Sequence, residues 1–397
     1  MRASTGVLLS PENVFGRDEL IGQLWRWLEI KSVRLEAERR IGKTSILTRM
    51  KAHPPKGWFP LYLDLEKRHT TDEFAEEIAT QVEQFLGRFK RAGKRIGQFL
   101  TSLGGTKVNG GGVGFTFPSA KDRPEGYWKY LLQESIRDLV EAKEERVVFF
   151  FDEMPSLLSA IAKSEAGAAR AMEVLDVLRA LRHDPDTADG FRMVLTGSIG
   201  LHHVLETLRN DGYSNPALND MEPVEVQPLT TAAAQGLARL LIDGEELKAD
   251  DPAESARIIA DESGGFPFYL QSVVLRLSID QMTANPADVK KAVQNALTAS
   301  HDPWQLRYLA GRISTYYPKD EAVTLAILDT AATATAPLPV AEIVKQVKSA
   351  RPEADPERVR KLLKLLEQDH YVTRDEEGRY RFRFPLLQRW WKLDRGL

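Results

Sequence analysis

Residues 147–151, Val-Val-Phe-Phe-Phe, run straight into two carboxylates, Asp152 and Glu153. A strand with one wet face alternates apolar and polar residues, whereas a strand covered on both faces reads as an unbroken apolar run. The segment Arg146-Val-Val-Phe-Phe-Phe-Asp-Glu therefore predicts an inner strand of a mainly parallel sheet, and an α/β fold for the chain that carries it. Further apolar runs at 33–37, 59–65, 191–198 and 224–227 predict the other strands, with helical patterns at 18–29, 43–51, 71–89, 126–142 and 168–182 between them. The glycine-rich stretch 103–118, ending in alternating Val113, Phe115 and Phe117, reads as a flexible turn or short hairpin.

The first of these strands, Val33-Arg-Leu-Glu-Ala, leads directly into Glu38-Arg-Arg-Ile-Gly-Lys-Thr, with a helix opening at Lys43. Strand, tight loop and helix in that order are the context of a Walker A motif. Phosphate oxygens are held there by exposed backbone N–H groups at a helix N-terminus, which puts Arg40, Ile41, Gly42, Lys43, Thr44 and Ser45 in the candidate binding loop. Lys43 is expected to reach the β- and γ-phosphates and the Thr44 hydroxyl to bind Mg²⁺. Ala37 stands where the motif has its first glycine, a change that costs little if φ there is negative. Asp152, at the C-terminal strand end where open α/β sheets take their ligands, is the second candidate for the Mg²⁺ shell. Glu153 beside it is expected to position and polarise the attacking water, which makes ATP hydrolysis the expected chemistry.

Phe191-Arg-Met-Val-Leu-Thr-Gly-Ser resembles the sensor-1 strand of AAA+ and STAND ATPases, which implies that Ser198 or Thr196 reads the γ-phosphate. Phe15-Gly16-Arg17-Asp-Glu-Leu is similar to the segment that opens this group and lies beside the adenine. Glu262-Ser-Gly-Gly-Phe-Pro-Phe-Tyr-Leu resembles the Gly-x-Pro lid motif of STAND ATPases, which implies that Pro267 packs near the base. The lid segment has no Gly-x-x-Arg second sensor, favouring the STAND side or the related archaeal-type ATPases, which Glu38-Arg-Arg-Ile-Gly-Lys-Thr-Ser and Arg381-Phe-Arg-Phe-Pro-Leu-Leu-Gln-Arg-Trp-Trp particularly resemble. The resemblance further implies an arginine finger for a neighbouring subunit, with Arg209 as the candidate.

At 397 residues the chain exceeds one ordinary core. The expected divisions are an ATPase core at 1–229, a helical lid at 230–301 with helix starts at Pro252, Pro267 and Pro286, and a third domain at 302–397. In the last, helical patterns at 321–331, 339–349 and 356–368 precede two short strands at 371–373 and 379–384, the order of a winged helix-turn-helix. Residues 341–397 hold 14 basic and 10 acidic residues in a chain of net charge −3, a mildly basic module. Arg351, Arg358 and Lys361 flank the would-be recognition helix, and Arg379, Arg381 and Arg383 share one face of the wing, so double-stranded DNA is one candidate partner. The resemblance implies instead that such a domain packs on the ATPase core, with Trp390 and Trp391 as the plug. The absence of cysteine excludes disulfides and thiolate metal sites. No apolar stretch approaches the ~20 residues that span a bilayer, and the N-terminus lacks signal-peptide character. The expected protein is a cytoplasmic switch that binds ATP or ADP with Mg²⁺, hydrolyses ATP, and changes its conformation or self-assembly toward a protein partner. The rival expectations are a DNA-acting ATPase resembling origin-recognition or transposition regulators, and a nucleotide-gated scaffold with negligible hydrolysis.

Overall fold

The computed structural model describes residues 1–6, 9–89, 93–105, 107–109, 113–142, 145–164, 167–197 and 201–397. They divide into two compact units: Glu19–Glu36 with Ile46–Glu225, and Met1–Asp18 with Ala37–Ser45 and Val226–Leu397.

The first unit is built on strands β1 (Val33–Glu36), β2 (Trp58–Asp64), β3 (Lys107–Asn109), β4 (Val113–Phe115), β5 (Arg146–Asp152), β6 (Phe191–Gly197) and β7 (Glu222–Glu225). Five of them form a parallel sheet in the order β2-β5-β6-β1-β7, so the unbroken apolar run does occupy an inner strand. Helices α1 (Asp18–Ile30), α2 (Lys43–Ala52), α3 (Thr71–Arg88), α4 (Lys94–Ser102), α5 (Tyr127–Ala142), α6 (Met154–Ala162), α7 (Gly167–His183) and α8 (Leu201–Asn210) alternate with the strands. Residues 147–151 are all buried, and their rings divide between the two faces. Phe150 meets Trp25 of α1 at 6.4 Å between centroids, while Phe151 stacks with Phe149 and meets Phe74 of α3 at 5.5 Å. Truncating a ring packed this way removes its transfer energy and leaves a cavity. Phe150→Ala is thus expected to cost about 3–5 kcal/mol, read as a lower urea midpoint at unchanged slope in the sheet unit's transition.

The expected elements are present with shifted ends. β7 begins two residues before the expected 224–227 because its ladder with β1 pairs Glu222 with Val33, and Pro223 is tolerated on an edge strand. The glycine-rich stretch contains the antiparallel pair β3–β4, while Gly110, Gly111 and Gly112 lie outside the described residues. α3 opens on a capping box in which Thr70 and Glu73 satisfy each other's orphan backbone donors.

In the second unit, α9 (Thr231–Gly244), α10 (Pro252–Ser263), α11 (Pro267–Ile279) and α12 (Pro286–Thr298) include the three expected starts, with proline in the first turn each time. α13 (Leu306–Tyr316), α14 (Glu321–Thr333), α15 (Val340–Ala350) and α16 (Pro356–Gln368) precede the antiparallel ribbon β8 (Val372–Arg374) and β9 (Tyr380–Phe382), and α17 (Pro385–Arg395) ends the chain. α17 folds back within this C-terminal part: buried Trp391 donates from Nε1 to Asp329 of α14 at 2.8 Å and packs on Phe382 at 6.1 Å. Trp391 thus finds its acceptor on α14, while Arg389 of the same helix pairs with Glu262 of α10.

Candidate functional site

β1 stops at Glu36, and a loop spans residues 37–42 before α2 opens at Lys43. Arg40 has φ 73° and Gly42 φ 99°, while Ala37, Arg39 and Ile41 are not among the described residues with positive φ. Alternation of left-handed with ordinary residues makes a nest of backbone N–H groups that suits an anion. Glycine is needed at Gly42 for its φ and not for space, since a Cβ there would meet nothing within 4 Å. Alanine at position 37 costs the backbone nothing, which removes the one irregularity of the motif. Lys43 is buried, and its ammonium donates to the carbonyls of Ala37 at 3.2 Å and Glu38 at 3.0 Å. Thr44 and Ser45 are half-buried in the first turn of α2.

The loop is braced from within its own unit. Arg17, expected beside the adenine, is buried and donates to the carbonyls of Ile41 at 3.1 Å and Gln227 at 2.7 Å. Burial lowers its pKa to about 10, still charged at neutral pH. Gly16 has φ 68°, and a Cβ there would lie 3.0 Å from that of Ala233, so the turn before Arg17 requires glycine. The Arg40 guanidinium lies over the Phe268 ring at 4.2 Å and donates to Gln305, and burial lowers its pKa. Its side chain is engaged there, and its backbone N–H is the part that belongs to the nest. Pro267 is half-buried at the start of α11, after Gly264 and Gly265 with φ 60° and 75°. A Cβ on Gly265 would lie 2.7 Å from the Leu229 carbonyl, so this turn also needs its glycine.

The acidic strand end is built by the sheet. Asp152 is buried, and its two carboxylate oxygens accept separately, Oδ2 from the Tyr62 hydroxyl of β2 at 2.9 Å and Oδ1 from the Thr196 hydroxyl of β6. Strand register makes this possible, because Leu63 pairs with Phe151 and Phe151 with Leu195, so the strand ends reach one edge together. Burial, and then the Asp152 charge, push the Tyr62 pKa up, which keeps that hydroxyl a donor. Glu153 is half-buried, has φ 58° and ψ 44°, and caps α6 without a side-chain cap bond. A non-glycine residue in the left-handed region costs about 1–2 kcal/mol, and such strain clusters at functional sites.

Tyr62 was not foreseen, since in sequence it is one of several aromatic residues in an apolar run. Ser198 lies outside the described residues, whereas Thr196 is buried against Asp152. Arg209 is exposed in the last turn of α8 and is not gathered with that cluster.

Several basic residues of the C-terminal part are matched by carboxylates. Arg358 pairs with Asp320, Arg360 with Glu357, Arg379 with Asp375 and Glu377, Arg383 with Glu38, Arg389 with Glu262 and Arg395 with Asp329. The shared face expected of Arg379, Arg381 and Arg383 is kept, but two of the three charges are neutralised by carboxylates of this unit.

No protein-family model matches the chain, and no curated protein matches it. Among solved structures, the Walker-type ATPase PABY2304 of Pyrococcus abyssi is similar over 96% of this chain and 97% of that one, at TM-score 0.65 and 16% identity. A variant of RuvB from Thermotoga maritima matches over 93% of each chain at TM-score 0.40 and 12% identity. The ADP form of the ORC2 protein of Aeropyrum pernix matches over 95% and 90% at TM-score 0.42 and 11% identity. The chain thus shares the fold of a Walker-type ATPase along nearly its whole length. Among the described residues no helix is long and apolar enough to cross a membrane.

Proposed function

We propose that this chain is a Mg²⁺-dependent ATPase of the P-loop class, acting as a switch. The loop amides from Arg40 to Ser45 and the Lys43 ammonium hold the β- and γ-phosphates. Thr44 and Asp152 hold Mg²⁺, Glu153 orients water, and Thr196 or Ser198 reads the γ-phosphate. The observation that carries the reading is the doubly hydrogen-bonded Asp152 carboxylate, fixed by Tyr62 and Thr196 at the sheet edge where β1 also ends. A carboxylate oriented by such outer partners is what a metal shell uses. The fold shared with the Pyrococcus abyssi ATPase supports the same class.

On this reading, residues 1–229 form the ATPase core, 230–301 a lid with Gly16, Arg17 and Pro267 on the base side, and 302–397 a winged helix-turn-helix domain. Hydrolysis then resets the lid and that domain, as in STAND-like switches, and Arg209 serves a neighbouring copy on assembly. Duplex DNA is the less favoured partner, because three of the arginines expected at phosphates, Arg358, Arg379 and Arg383, are already paired with carboxylates.

The direct test is ATP hydrolysis by the purified chain titrated with Mg²⁺. Turnover that requires Mg²⁺ is expected; neither binding nor turnover at saturating Mg²⁺ and ATP would sink the reading. Tyr62→Phe removes one bond to Asp152 and keeps the ring. It is expected to raise the half-saturating Mg²⁺ concentration about tenfold, the lower end of what loss of an outer-shell partner costs.

A further inference from the structure

Glu38 is a carboxylate inside a loop proposed to receive a polyphosphate, and it is 4% exposed. Left alone it would repel the ligand and carry the large cost of an uncompensated buried charge. Its partner is 345 positions away: the Arg383 guanidinium, just past β9, pairs with it. Several features seat Arg383 there. Its backbone N–H donates to the Tyr371 carbonyl at 3.0 Å, and a second guanidinium nitrogen donates to Gln227 at 3.4 Å. The next residue, Phe384, is buried against Phe266 at 4.6 Å, in the turn that opens α11. The two loop residues after Glu38 are also gripped from the last hundred residues, Arg39 stacking over Tyr308 at 4.5 Å and Arg40 donating to Gln305.

We infer that Arg383 is a positioning residue for the phosphate loop, neutralising Glu38 so that nucleotide affinity depends on the C-terminal module being seated against the loop. The inference rests on the ATP-binding reading above. By linkage, bound nucleotide favours the seated module to the same extent. The contact assists binding and does not inhibit it.

The test is a double-substitution cycle at Arg383 and Glu38, reading the affinity of fluorescent ATP with Mg²⁺ and the KM and kcat of hydrolysis. Arg383→Gln is expected to weaken ATP about tenfold or more through KM, within the range of site-to-site couplings. Adding Glu38→Gln removes the stranded charge and is expected to restore affinity to within roughly threefold of wild type, and Arg383→Lys is expected to recover part of the loss. Rescue by a second substitution is a result that simple misfolding does not give. If Arg383→Gln binds ATP as wild type does, or more tightly, the inference is overturned; it is equally overturned if the double variant stays as weak as the single one. Lys43→Ala run alongside separates the two readings: if it binds ATP normally, the site itself is misassigned, whatever Arg383 does.

Discussion

Glu153→Gln is expected to slow single-turnover ATP hydrolysis about 100-fold or more, the usual contribution of a general base, while ATP affinity stays close to wild type. The two effects separate because of how Glu153 is held. It follows the last residue of β5, is half-buried, and is held by its backbone, whose N–H donates to the Thr196 hydroxyl at 3.4 Å. Glutamine has the same length and can hold the same backbone, but it cannot take a proton from water. The neighbouring Asp152 keeps its bonds from Tyr62 and Thr196, so the carboxylate proposed for Mg²⁺ is left as it was. Measured by rapid quench with enzyme in excess over ATP, a variant that cleaves as fast as wild type would remove Glu153 from the mechanism. If wild type and variant were equally inert while both bound ATP, the chain would be a nucleotide-gated scaffold.

Much of the sheet was legible because its physics is local. Phe149, Phe150 and Phe151 in succession can only be an inner strand or a buried helix segment, and the carboxylates that follow decide for the strand end. Helices with one apolar stripe, such as α3 and α5, announced themselves in the same way. α6 was missed although Met154, Leu157, Leu158 and Ile161 stand at helical spacing, because a helix of 9 residues shows that spacing over barely two turns. α4 was obscured by the glycine-rich stretch beside it, and α13 by the turn signals just before it.

Site residues followed the same division between local and remote. The alternation of Arg40 and Gly42 in the left-handed region completes a loop that its own sequence already identified. Tyr62 and Thr196 find Asp152 only through strand register, which joins residues 90 and 44 positions apart. Glu38 was not singled out in the sequence, and its pairing with Arg383 is not legible there, since nothing local connects the two. For the same reason the basic face of the ribbon looked freer in sequence than it is. An arginine's partner is a tertiary fact, and composition counts the charge without the acid that cancels it.

Lys43→Ala is expected to lower ATP affinity about 100-fold or more. Charge-assisted hydrogen bonds are worth about 1.5–3 kcal/mol each, and losing the contacts to two phosphates at about 1.4 kcal/mol per tenfold reaches that figure. Alanine alone leaves an ambiguity. The Lys43 ammonium also donates to the Ala37 and Glu38 carbonyls, so its removal strips two loop acceptors of a donor and loosens the loop itself. Lys43→Met resolves this by keeping most of the stem's volume while deleting the charge. The readout is the rise in melting temperature on adding Mg²⁺ and ATP, since a ligand at 100 times its dissociation constant stabilises the folded state by about 2.7 kcal/mol. That rise should vanish in both variants at a concentration that saturates wild type. If methionine kept the shift and alanine lost it, Lys43 would matter as packing, and the phosphates would be held by the nest of N–H groups around Arg40 and Gly42 alone.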